Sequence, residues 1–173
     1  MASNADIVRT GYESFIRGDI QTTLAMFAED IEWHEPEWTY GPASGDFCGR
    51  DEVLRRIFAP IPELNDAFAL EPREFYCDGD TVIVTGVFHL RPKGSGRAVE
   101  VPFAHVWTVH GGRIDSLRAY NDVREIVALH AGSRHLSLLR VRDRPGGQPP
   151  EGRGLGTPHR PLTAAGRPPE RQR

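Results

Sequence analysis

The chain has 173 residues, 39% hydrophobic and 26% charged, which suits one globular domain, and no apolar run is long enough for a transmembrane helix. Its net charge of −3 hides a split: residues 1–131 hold 12 basic and 21 acidic side chains, residues 132–173 hold 9 Arg and 3 acids, and an acidic body lacks the basic face of a nucleic-acid-binding domain. Two cysteines, Cys48 and Cys77, are too few for a disulfide scaffold, and Met1–Asp6 has no basic-then-apolar pattern, so a reducing cytoplasm is the expected home, with no membrane contact.

Val8, Tyr12, Phe15 and Ile16 recur at helical spacing and predict a first helix over residues 4–17, capped by Ser3 or Asn4 and stopped by Gly18. Ile20, Leu24 and Phe27 predict a second over 20–28. Ile31, Trp33 and Glu35 alternate with Glu32 and His34, the pattern of a short strand ended by Pro36. Residues 37–50 read as a loop, and residues 51–58 as a third helix stopped by Pro60 and Pro62. From Phe68 the period changes to two, predicting strands near 68–76, 81–91, 98–109 and 114–121. Asp78-Gly79, the glycine-rich 92–96 stretch and Gly111-Gly112 supply the turns of an antiparallel meander. Asp122 to Glu125 reads as a capping box opening a last helix through His130, which makes Asp122 a cap rather than a catalyst. Residues 132–173 hold 7 Pro and 7 Gly with little to bury, so they are expected to form a disordered basic tail outside a domain of residues 1–131.

Helices followed by one antiparallel sheet make an α+β fold, expected here as a curved, cone-shaped sheet wrapped around a pocket by three helices, with a short C-terminal helix. Strand parity selects the pocket walls. Val99, Val101, Phe103, His105, Trp107 and Val109 share one face, which should point inward. Val82, Val84, Gly86, Phe88 and Leu90 form the neighbouring row, leaving His89 outside. Leu117, Ala119 and Asn121 complete the wall, and Trp33 and Glu35 project together beside Trp38 in the following loop. One carboxylate and one imidazole thus meet in a mainly aromatic pocket. A carboxylate in apolar surroundings holds its proton more tightly, which suits Glu35 to acid or base work. His105 could move a proton or donate to a developing oxyanion. Two bland readings stand beside these: His105 as a satisfied core residue, and Glu35 in a salt bridge with an arginine such as Arg50.

Other chemistry finds little support. No HExxH, paired Cys/His spacing or G-x-S-x-G elbow occurs, and adjacent His34 and Glu35 point opposite ways, so no metal site is expected.

The order helix, helix, Phe27-Ala28-Glu29-Asp30, strand, Glu35-Pro36, helix and meander with Gly111-Gly112-Arg113-Ile114 resembles the nuclear transport factor 2-like superfamily. Within it the chain is similar to SnoaL-like polyketide cyclases and to relatives of ketosteroid isomerase and limonene epoxide hydrolase, over about residues 4–131. Glu35 before Pro36 matches the isomerases' general base. His105 falls at the place of their oxyanion acid, where SnoaL-like cyclases carry a histidine. The isomerases' oxyanion tyrosine would fall near Gly11, so it is missing from that place, although Tyr12 is adjacent. The cyclases' aspartate falls on Ala119, and the hydrolase's partner positions fall near Gly86 and Phe88, so that triad is absent. The resemblance implies a cofactor-independent isomerase or cyclase acting on an apolar oxygenated metabolite, with Glu35 and His105 catalytic, Trp33, Trp38, Phe88, Trp107 and Asn121 binding the substrate, and a homodimer formed through the exposed sheet face. A ligand carrier without chemistry and an interaction dimer with a filled cavity are the alternatives.

Overall fold

The computed structural model describes residues 3–37 and 44–129. Trp38, the remainder of the loop to residue 43, His130 and the tail lie outside the described residues.

Helix α1 spans Asn4–Ile16 and starts at Ser3, whose hydroxyl accepts from the Asp6 N–H while the Asp6 carboxylate accepts from the Ser3 N–H. Its apolar stripe lies against the sheet. Helix α2 covers Ile20–Ala25, capped by Asp19. Phe27 does not close that helix as expected; it opens strand β1, Phe27–Glu35. The predicted loop contains a further strand, β2, Gly45–Cys48, paired antiparallel to β1. Four residues flanked by glycines are too short to show a period.

The third helical region is also longer than expected. Helix α3, Arg50–Val53, passes into a π-helical turn, Leu54–Phe58, and then into α4, Pro60–Leu64. Pro60 begins this last turn instead of stopping the helix, because the first helical position needs no N–H donor.

Strands β3 (Asn65–Asp78), β4 (Thr81–Pro92), β5 (Val99–His110) and β6 (Arg113–Asn121) form the expected meander. A short helix, α5, follows at 124–129. Asp122 accepts from both the backbone and the guanidinium of Arg124, in place of a closed capping box with Glu125. The sheet order is β2-β1-β6-β5-β4-β3. Every pair is antiparallel except β1–β6, which is parallel, so the sheet is mixed. This α+β sheet closes around a core lined by α1 and the helical segments between β2 and β3.

The inward rows follow the expected parity. Val82, Val84, Phe88, Leu90, Val101, Phe103, His105 and Trp107 are all buried. Gly86 sets the close approach in this wall. A Cβ there would lie 2.4 Å from the Glu71 carbonyl and 2.4 Å from Phe103 Cζ. The facing strand shifts register between Pro72 and Glu74 at that point, a bulge that helps bend the sheet. Gly86→Ala is expected to cost about 1–3 kcal/mol through overpacking. Thermal unfolding would read this as a Tm lowered by several degrees, and an unchanged Tm would contradict the packing.

Candidate functional site

A cavity opens between α1, the turns around Ile57 and Phe58, and the inner face of the sheet. It encloses about 550 Å³ of empty space including its mouth, of which only about 60 Å³ admits the centre of a water molecule. The space is therefore a narrow cleft. Phe15, Phe27, Phe58, Phe68 and Phe88 make its walls largely aromatic. Its polar wall groups include Glu35, His105 and Tyr12.

Glu35 ends β1 and is 3% exposed, so it faces the interior. Trp33, two residues earlier on the same face, donates from Nε1 to Glu35 Oε1 at 2.9 Å. Asn121 donates from Nδ2 to Oε2 at 3.3 Å. The parallel β1–β6 pair, in register at Trp33 and Leu117, brings the ends of the two strands together. The apolar surroundings expected for Glu35 are thus supplemented by an N–H donor on each oxygen, an arrangement suited to the carboxylate. The alternative in which Arg50 pairs with Glu35 is not realised; the Arg50 guanidinium donates to the Phe27 and Ala28 carbonyls.

His105 is 5% exposed, stacked on Phe103 at 4.2 Å between centroids and flanked by Phe88 at 5.7 Å. Burial pushes its pKa down to about 3, partly opposed by the Asn121 amide beside it, so the ring is neutral near pH 7. Its Nδ1 lies 2.7 Å from the Tyr12 hydroxyl, and Trp107 Nε1 donates to that same hydroxyl at 3.0 Å. Burial holds the Tyr12 phenol well above its ordinary pKa, so it too is neutral.

A family model described as a SnoaL-like domain matches residues 8–117. The chain belongs to the SnoaL-like family. Among solved structures this SnoaL-like chain is similar to an NTF2-like protein from Burkholderia thailandensis, at 28% identity and TM-score 0.70, over 75% of this chain and 98% of that one. An NTF2-like protein of unknown function from Burkholderia pseudomallei matches at 32% identity and TM-score 0.66, over 75% and 98%. TerC, co-crystallized with polyporic acid, matches at 27% identity and TM-score 0.65, over 73% and 96%.

The SnoaL-like cone brings most of the expected side chains together. Glu35, His105, Trp33, Trp107 and Phe88 all line the one cavity. The two tryptophans pack edge to face at 5.6 Å and spend their N–H groups on Glu35 and Tyr12. Asn121 is not on the cavity wall; it reaches the site through the Glu35 carboxylate. Trp38 lies outside the described residues. Tyr12, which the sequence placed on the first helix's apolar face and next to the missing tyrosine's position, was not read as a site residue. It sits on the helix face read as apolar, where a buried phenol still needs a hydrogen-bond partner. Among the described residues, no three His, Cys, Asp or Glu side chains converge as metal ligands, and no helix is long and apolar enough to cross a membrane.

The buried imidazole carries a pH signature. As pH falls, the unfolded ring protonates near 6.5 and the folded ring only near 3. The stability it contributes is therefore complete above pH 6.5 and declines by about 1.4 kcal/mol per pH unit down to about 3. Thermal melts of wild type and His105→Gln between about pH 6.5 and 4 should show the steeper loss in wild type. Parallel curves would contradict the buried neutral ring.

Proposed function

We propose that this SnoaL-like domain is a small-molecule isomerase or cyclase that moves protons on an apolar, oxygenated metabolite without a cofactor. The observation that carries this reading is that a carboxylate held by two N–H donors and a neutral imidazole face one aromatic cleft. In the step proposed, Glu35 takes a proton from a carbon next to a carbonyl, and the C–H electron pair moves onto the oxygen. The His105 N–H donates to that oxygen as charge develops. Where a C=C is conjugated with the enolate, the oxygen's pair re-forms the carbonyl, the double bond shifts and its far carbon takes the proton back from Glu35, which is isomerisation. Alternatively the enolate carbon attacks a carbonyl within the same molecule; the C–C bond forms, the π pair of the attacked carbonyl becomes an alkoxide, and Glu35 returns its proton to that oxygen, which is cyclisation. The co-crystal of TerC with polyporic acid supports a small organic ligand in a fold of this kind.

A model ketone tests this without knowledge of the natural substrate. Loss of the α-proton NMR signals of 2-tetralone in D₂O should be accelerated by the protein. Glu35→Gln should slow the accelerated exchange about 10²-fold or more, and His105→Ala about 10²–10³-fold. Near-wild-type exchange in both variants would remove the mechanism. One observation favours a second reading, a non-catalytic binder of the same ligand class: a ring with its pKa near 3 does not deliver protons near neutrality. Ligand binding that is indifferent to Glu35→Gln, with no exchange above the buffer rate, would select it.

We further propose that a second copy covers the outer sheet face. Tyr76, Ile83 and Val106 stand in register across β3, β4 and β5, with exposed Tyr120 nearby on β6. Ile83→Glu should convert a dimer into a monomer in sedimentation velocity. A wild-type monomer would overturn this interface.

A further inference from the structure

The mechanism above uses the His105 ring but not the phenol behind it. The geometry points to Tyr12 as a positioning residue that locks His105 in the tautomer protonated on Nε2, aimed at an acceptor oxygen of the ligand. This rests on the proposed proton-transfer reading for its role in turnover, though the lock itself is a property of the ligand-free protein.

An indole N–H can only donate, so the Tyr12 oxygen accepts from Trp107 at 3.0 Å. The phenol's own hydrogen then needs an acceptor in a buried site. His105 Nδ1, at 2.7 Å, supplies it only as a bare lone pair. The reverse assignment, with Nδ1–H donating to Tyr12, would crowd two donors onto one oxygen and leave the phenol hydrogen without this acceptor, at the cost of an unmet buried donor. The neutral ring therefore carries its hydrogen on Nε2. That nitrogen is buried and meets no acceptor at close hydrogen-bond geometry among the described residues; the Asn121 side chain is near enough to act on the ring as a hydrogen-bond partner. A neutral donor on the wall of an aromatic cleft, engaged only by the Asn121 side chain, selects a carbonyl, enolate or phenolate oxygen that can take over that bond. A donor-only group such as an ammonium finds no lone pair on either ring nitrogen.

The test is long-range ¹H–¹⁵N NMR of the full chain labelled at histidine, near pH 7 and without ligand. His105 should show the Nε2–H tautomer. Tyr12→Phe, which removes only the hydroxyl, should lower the ratio of Nε2–H to Nδ1–H about five- to tenfold, the effect of one net hydrogen bond. Trp107→Phe, which removes the donor to the phenol, should lower it less and serves if Tyr12→Phe does not fold. In titrations of the wild type, 2-tetralone should shift the Nε2 resonance, whereas tetralin, which has the same carbon skeleton without the oxygen, should not. An Nδ1–H tautomer in wild type, or a ratio unaltered in the variants, would overturn the lock. Equal shifts from the two probes, or none from either, would overturn the acceptor-oxygen assignment. If the tautomer is locked but α-proton exchange is absent, the catalytic reading fails and the lock stands; exchange without the lock has the opposite meaning.

Discussion

The cleft between helix α1 and the sheet is narrow and largely aromatic, and a polar group buried on its wall is costly unless a neighbour bonds it. Two small systems of bonds meet most of that demand. Trp107 donates to Tyr12, and Tyr12 is bonded to His105 Nδ1. Trp33 and Asn121 donate to the two oxygens of Glu35. The aromatic residues that exclude water therefore also hold the polar groups in place: the same indoles that pack edge to face supply the N–H donors. Dispersion, shape and hydrogen bonding all bear on the same few side chains. A change at Trp33 or Trp107 would alter packing and polarity together.

The two ionisable groups are held in contrasting ways. Glu35 receives donors, which suits an anion, whereas His105 is desolvated and neutral. In the proposed reaction a carboxylate base and a neutral hydrogen-bond donor would divide the labour that enolate chemistry requires. SnoaL-like and other NTF2-like proteins share this cone, and the fold alone does not select a reaction. The choice lies in which side chains the inner face carries, and here the last-strand position expected for a cyclase aspartate is Ala119.

Much of the inner wall was legible from the alternation of residues along β4, β5 and β6. A period of two leaves a single choice of face, and large apolar residues make that choice for His105 and Trp107. Glu35 was legible as inward for the same reason, through Ile31 and Trp33. The short β2 strand was not, because four residues next to glycines carry no measurable period. Pro60 misled because a proline that stops one helix also starts another. The alternative partner for Glu35, an arginine such as Arg50, rested on charge alone, while in the fold the Arg50 guanidinium satisfies carbonyls at the start of β1.

By itself the amino-acid sequence determined the α+β class, the meander and the set of side chains on the inner face, since these follow from local periodicity and turn chemistry. Tertiary structure alone decided the bonds among them. Tyr12 and His105 are 93 residues apart, and Asn121 and Glu35 are 86 apart. The parallel pairing of β1 with β6 and the seating of α1 against the sheet create both contacts. Neither leaves a trace in local pattern, because each depends on how distant elements pack and not on what any one of them prefers.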